Sequence, residues 1–212
     1  ISSSPFAVGK HDKIRLRMLI HDAMKYKVPF IYVNQVGGND DLVFDGNSVV
    51  INAQGKLIAQ AAAFQEDLVV VDIKNPSVQI QPKTYSDIET VHMALIAGLR
   101  DYVTKCGFKK VIIGLSGGID SAVTAALAVE SLGNENVVGV LMPSQFSSQG
   151  SIDDAVKLSQ NLGIVYKIIP IQDVFVTYQK TLETEFKGSP FDITEENLQA
   201  RIRGNVLMAL SN

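Results

Sequence analysis

Residues 111–121 read VIIGLSGGIDS, and the fold turns on how this stretch is read. Val111 to Leu115 form an apolar run rich in β-branched residues, which suits a buried strand. Ser116-Gly117-Gly118-Ile119-Asp120-Ser121 interrupts it, and the alanine-rich AVTAALAVESLG that follows has the spacing of an amphipathic helix. A strand, a glycine turn and a helix start therefore lie back to back. The first N–H groups of a helix have no partner inside it, and the helix dipole is positive at that end. A glycine turn there lets the backbone approach an anion without a Cβ in the way. The plain reading is a tight turn with Asp120 or Ser121 as helix cap. The stretch is not a P-loop, which needs Lys followed by Ser or Thr after its second glycine, and it lacks the GxGxxG spacing of dinucleotide-binding turns.

Beyond Ser121 the chain alternates. Asp120–Leu132 is expected as helix, 136–142 as strand, 151–162 as helix and 164–171 as strand, with Gly133 and Gly163 as helix stops. A βαβαβ order implies a parallel sheet with right-handed crossovers. Ligands on such sheets bind at the carboxyl ends of the strands, here at loops 116–121 and 143–150. Ser151 and Asp154 have the spacing of a variant capping box. A helix is expected over 172–186, with Val174, Tyr178, Leu182 and Phe186 as its stripe and a break at 187–190. Thr194 is expected to cap a last helix with the stripe Leu198, Ile202, Val206 and Leu210. Asn197 and Arg201 share a face of that helix and Arg203 points elsewhere, the plain reading of both arginines being a solvated surface.

Residues 1–73 have a different texture. One helix is expected over about 10–26, where Leu16, Leu19, Ile20 and Ala23 fall at i, i+3, i+4 and i+7. Short strands are expected at 28–33, 42–44, 48–52, 56–60 and 67–73, with GGNDD as a turn and Ala53-Gln54-Gly55 closing a hairpin. Residues 74–86, KNPSVQIQPKTYS, carry two prolines and little periodicity and are expected to form a linker. A helix is expected over 87–105, capped by Ser86 or Asp87 and ending before Gly107, leading into the strand at 111.

Composition bounds the function. The chain has 212 residues, is 46% hydrophobic and 19% charged, and has a net charge of −3. It carries no basic stripe of the kind nucleic acids select, no apolar run near the about 20 residues of a membrane helix, and no signal peptide. One cysteine, Cys106, excludes an internal disulfide and suits a reducing, cytoplasmic setting. The chain starts at Ile1 and stops just after a helical run, so it is read as a fragment of a longer polypeptide.

Three motifs carry a resemblance. SGGIDS resembles the pyrophosphate-binding loop of N-type ATP pyrophosphatases. MPSQFSSQGSIDDA is similar to the MPSRYSS…S..DA segment of NAD synthetases, with Gln145 where arginine is common. ENLQARIRG resembles the helix of the same family that receives deamido-NAD. In front of them, SPFAVGKHDKIR and VPFIYVNQVGGNDDLVFDGNS resemble the C-terminal half of a nitrilase-type amidohydrolase, in the glutaminase form fused to NAD synthetases.

The resemblance implies an α/β chain. Residues 1–73 would be the C-terminal half of a nitrilase-like α-β-β-α sandwich and 74–86 a linker. Residues 87–212 would form a parallel-sheet ATP pyrophosphatase domain that continues past the end of the chain. It implies a glutamine-dependent NAD synthetase that uses ATP, Mg²⁺, deamido-NAD and glutamine and assembles as a homo-oligomer. ATP would contact Gly114, Leu115, Ser116, Gly117, Gly118, Asp120, Ser121 and Met142. Asp120 would hold the Mg²⁺, and Asn197 and Arg201 the deamido-NAD. Ser4 and Lys10 match positions that hold glutamine, though a lysine lacks the planar fork of arginine. The glutaminase Cys, Glu and Lys would all lie N-terminal to Ile1. Cys106 does not match the nucleophile's context, so no catalytic residue is assigned to this chain. Three other readings stand beside this one. They are another SGGxDS pyrophosphatase, GMP synthetase-like or RNA-modifying; a nucleotide-binding module without turnover; and a nitrilase-type hydrolase with a decayed partner domain.

Overall fold

The computed structural model describes residues 2, 4–7, 11–74, 79–185 and 192–212, and the chain divides into two compact units, Ile1–Cys106 and Gly107–Asn212.

In the first unit, helix α1 (His11–Tyr26) is followed by strands β1 (Phe30–Tyr32), β2 (Val36–Asn39), β3 (Leu42–Asp45), β4 (Val49–Ile51) and β5 (Leu57–Gln60), then helix α2 (Asp87–Lys105). β1, β4 and β5 form one antiparallel sheet and β2–β3 a separate hairpin. The expected α1 stripe does pack: Ala23 is fully buried against Val49, Ile51 and Leu57, with Leu16, Leu19 and Ile20 beside them.

Three features of this unit depart from expectation. GGNDD is not all turn. Gly37 and Gly38 pair within β2, and only Asp40-Asp41 turn the chain. The glycines are there because α2 lies on top of them: a Cβ on Gly37 would sit 2.3 Å from the Asp101 carboxylate, and one on Gly38 3.4 Å from the Gly98 Cα. The apolar stretch 67–73 is not a strand. Its backbone joins none of the described sheets, and Leu68 and Val70 are 89% and 90% exposed. A strand needs a partner for its N–H and C=O groups, and periodicity alone supplies none.

The described part of the expected linker, 79–86, is strapped along β5. Ile80 N–H donates to Leu57 O, and the Gln60 side chain accepts from Lys83 N–H and donates to Lys83 O. α2 packs on the β2–β3 hairpin, where Asp101 accepts from Gly38 N–H at 2.7 Å and Lys105 reaches the Gly38 carbonyl. By packing, then, the first unit runs on to Cys106, further than the sequence division at 74–86. The start of α2 is as expected: Ser86 caps it, with Glu89 closing the capping box.

The second unit is the expected parallel sheet, ordered β6-β7-β8 with β6 Val111–Leu115, β7 Val137–Leu141 and β8 Val165–Ile168. Helices α3 (Ile119–Leu132) and α4 (Gln149–Leu162) are its two crossovers, both advancing the same way and so covering one face. Helices α5 (Gln172–Thr181) and α6 (Ile193–Ser211) bury the other face, where Val140 and Met142 pack with Ile171, Phe175 and Ile202.

Local expectations shift by a few residues for identifiable reasons. α3 begins at Ile119 with Gly118 at its cap position and no capping side chain, so neither Asp120 nor Ser121 is the cap. α4 begins at Gln149 because Ser148, not Ser151, accepts from the N3 amide. α6 begins at Ile193 because Asp192 caps it, with Glu195 completing a capping box; Thr194 is already helical. α5 buries Phe175 rather than the Val174–Tyr178 stripe, both of which are more than 40% exposed. Phe186 and the break at 187–190 lie outside the described residues.

Candidate nucleotide site

The carboxyl ends of β6 and β7 open onto a cavity of about 320 Å³. Of the residues expected to meet ATP, Gly114, Leu115, Ser116 and Met142 line it, joined by Pro143 and Ser147 of the second loop and Ser151 in the first turn of α4. The first loop meets the start of α4 through Gly117. It has φ +80°, and a Cβ there would lie 2.3 Å from the Ser151 carbonyl oxygen. Both facts require glycine: the left-handed conformation and the contact of one backbone with another.

The serines of SGGIDS shape the loop from within. Ser121 Oγ accepts from Ser116 N–H at 3.3 Å, lies 3.1 Å from Ser116 Oγ and donates to Gly118 O at 3.0 Å. Ser116 Oγ accepts from Gly118 N–H at 3.2 Å. The hydroxyls therefore close the loop on itself, and the start of α3 carries no side-chain cap. Uncapped N–H groups beside a cavity are what an anion needs. Asp120 is exposed in the first turn of α3 and outside the cavity lining. Among the described residues no cluster of three or more His, Cys, Asp or Glu could hold a metal by itself.

The second loop is held from outside. Ser144 Oγ donates to Gln199 Oε1 at 2.8 Å, and Gln145 N–H donates to Gln172 Oε1 at 2.8 Å. Phe146 meets Phe175 edge-on, ring centroids 6.2 Å apart. Gln199 is 6% exposed, so the ENLQAR helix anchors this loop through a residue that sequence reasoning left without a role. Asn197 and Arg201 are exposed on the outer side of α6 and do not line the cavity. Arg203, set aside on the sequence as pointing elsewhere, does: its Nε donates to Met142 O at 3.3 Å. Burial draws its pKa down from the usual value. Its spacing from Gln199 and Leu207, four residues each way on the packed side of α6, was the available signal.

In the first unit, Ser4 is gripped at both ends of its backbone. Its N–H donates to Asn34 Oδ1 and its carbonyl accepts from Asn34 Nδ2, each at 3.0 Å. Asn34 Nδ2 also donates to Asp45 at 2.8 Å, and the Arg15 guanidinium pairs with Asp45 at 3.0 Å and lies 5.2 Å from the Tyr32 ring centroid. Asp45 is 2% exposed. No spacing in the sequence singles out this network, because its members come from three elements. Lys10 lies outside the described residues.

The NAD synthase family model matches residues 91–212. The chain belongs to the NAD synthase family. The carbon-nitrogen hydrolase family model matches residues 2–83 of the same chain. The glutamine-dependent NAD(+) synthetase of Synechocystis sp. is 49% identical over all of this chain and 39% of its own length. The namesake from Thermotoga maritima is 45% identical over all of this chain and 43% of its own. The glutamine-dependent NAD+ synthetase of Acinetobacter baumannii, solved in complex with ADP, superposes with a TM-score of 0.92 at 42% identity, over 99% of this chain and 40% of that one. The chain thus spans about two fifths of the length of these relatives. α2 begins between the two family matches, at residue 87, and runs well into the NAD synthase match while packing in the first unit.

Proposed function

We propose that the chain is part of an enzyme that amidates deamido-NAD to NAD with ATP, using ammonia from glutamine. The observation that carries the reading is the cavity at the ends of β6 and β7, lined at Ser116 where the glycine turn begins, with an uncapped helix start following that turn in the chain. The ADP in the A. baumannii relative supports it. The ATP contacts are Gly114, Leu115, Ser116, Gly117, Gly118, Asp120, Ser121 and Met142. The nicotinate carboxylate of deamido-NAD attacks the α-phosphorus, and pyrophosphate leaves. Ammonia then attacks the adenylated carbonyl carbon, and AMP leaves with the carboxylate oxygen.

The leaving pyrophosphate gains negative charge. Fixed N–H donors at the start of α3 stabilise that charge more than they stabilise bound ATP, which is what raises a rate. Asp120, a single exposed carboxylate, suits Mg²⁺ shared with phosphate oxygens rather than a cage of protein ligands. When bound there, Mg²⁺ supplies charge neutralisation to the phosphates. Asn197 and Arg201, on one face of α6, hold deamido-NAD. Ser4 and Lys10 help hold glutamine. The glutaminase nucleophile, its Glu and its Lys come from sequence N-terminal to residue 1, so this chain supplies none of them. Residues 1–73 serve as the glutaminase part, 74–86 as the connection and 87–212 as the synthetase part. The enzyme works in the cytoplasm as a homo-oligomer. Among the described residues no helix is long and apolar enough to cross a membrane.

Turnover of the full-length protein tests this. With ATP, Mg²⁺, deamido-NAD and either glutamine or ammonium, AMP and NAD should appear in equal amounts. Failure to form AMP with either nitrogen source overturns the reading. Activity with ammonium alone leaves the synthetase and removes the glutaminase.

A further inference from the structure

Among the described residues, Arg203 is the one charged residue lining the nucleotide cavity, and no carboxylate lines it with Arg203. It sits on α6 among packed neighbours: Ile202 before it is buried, and Val206 and Leu207 after it pack on the core. Its Nε donates to the Met142 carbonyl at the end of β7. That bond holds the guanidinium by its Nε, and the side chain lines the cavity. A cation partly removed from water with no anion beside it is costly unless an anionic ligand arrives. The lowered pKa of the group reports the same desolvation. A neutral residue, Gln145, stands on the exposed second loop, so the loop contributes no positive charge at that position.

We propose that Arg203 binds the phosphate nearest the nucleoside of the bound adenine nucleotide. The assignment rests on the nucleotide reading above. The N–H groups at the start of α3, which carry no side-chain cap, take the β- and γ-phosphates. The phosphate left for the cavity itself is the α-phosphate, and a planar guanidinium offers paired donors to its oxygens. Arg203 is then a nucleotide-binding residue that keeps its contact after pyrophosphate has gone, because the α-phosphate stays with the adenylate and with AMP. It also draws the Met142 carbonyl into the same grip, so strand end and phosphate are held by one side chain.

Calorimetric titration of full-length protein with ATP, AMP and adenosine separates the phosphate contact from a purely structural one. In the Arg203→Met variant, ATP and AMP should bind about 10- to 100-fold more weakly, the range for loss of a charge-assisted hydrogen-bonded contact, while adenosine binds as in wild type. Equal weakening of AMP and adenosine means that Arg203 acts only through Met142, and the assignment fails. Unchanged binding of all three also overturns it. Arg203→Lys keeps the charge and the stem and carries the test if the Met variant does not fold. It should weaken AMP but not adenosine, and equal loss of both overturns the assignment. Wild-type protein that binds no ATP would instead sink the nucleotide reading itself.

Discussion

The two candidate sites are built in opposite ways. The nucleotide loop is local: Ser116, Gly117, Gly118 and Ser121 lie within six residues, and their hydroxyls and backbone groups bond to one another. The Ser4 segment is assembled from afar. Asn34 reaches back thirty positions to hold it, and Asp45 and Arg15 lock Asn34 from a strand and a helix. The first arrangement leaves the N–H groups of a helix start uncapped for a ligand. The second uses its polar groups on itself and fixes a segment in place. Damage to each should therefore differ in kind: lost chemistry in one, lost structure in the other.

The largest expected effect is on the second type. Asp45→Ala removes the carboxylate that both the Arg15 guanidinium and the Asn34 amide bond to, at a site where the Arg15 and Asp45 side chains are 12% and 3% exposed. Breaking a buried pair from one side costs about 3–5 kcal/mol. Denaturant unfolding of the full-length protein should show that loss in the transition of the first unit, with glutamine-dependent turnover falling and ammonium-dependent turnover kept. Equal loss of both activities would erase the contrast between the sites. Next is Gly117→Ala. It adds a Cβ 2.3 Å from the Ser151 carbonyl oxygen at φ +80°, so the loop has to move. A displacement of about 1 Å in a reacting geometry costs roughly 100-fold in rate. ATP-dependent turnover with ammonium should fall by that much while the first unit's unfolding transition stays put.

The same contrast explains what the sequence made legible. SGGIDS could be read because its constraint is contiguous: strand, turn and helix start follow one another in eleven residues. The βαβαβ order could be read for the same reason, since each crossover is a local pattern. Arg203 and Gln199 escaped because their roles depend on which side of α6 meets the sheet, and Asn197 and Arg201 at the opposite face carry the more conspicuous polar pattern. The Asn34–Asp45–Arg15 network escaped because nothing in the spacing of 15, 34 and 45 foretells that they meet. The stretch 67–73 misled in the other direction: its apolar residues have strand character, but pairing is a property of two segments.

A smaller effect tests the acceptor side. Asn197→Ala and Arg201→Ala remove exposed groups that touch neither the cavity nor the core, so neither should change stability by more than about 0.5 kcal/mol. Each should raise KM for deamido-NAD about tenfold, the loss of one or two hydrogen bonds, with KM for ATP unchanged. A rise in KM for ATP instead would mean that the outer side of α6 serves the cavity.

The smallest effect is one the two units share. α2 in the first and α6 in the second each begin with a capping box, Ser86 with Glu89 and Asp192 with Glu195. Glu89 accepts from Ser86 N–H and Oγ at 2.7 Å each, and these bonds, the backbone one foremost, hold its pKa below the ordinary 4.5. Asp192 accepts from Thr194 N–H, which holds its pKa below the ordinary 3.8. A carboxylate with a depressed folded pKa stabilises the fold above its unfolded pKa, and that contribution is lost as pH falls through the folded value. Both helix starts should thus loosen over the same acid window, below about pH 4.5 for α2 and 3.8 for α6. Carboxyl carbon titration by NMR should give midpoints under those two values, and Glu89→Gln should flatten the acid dependence of the first unit alone. Midpoints at the ordinary values would show that the boxes are too frayed in solution to hold their carboxylates.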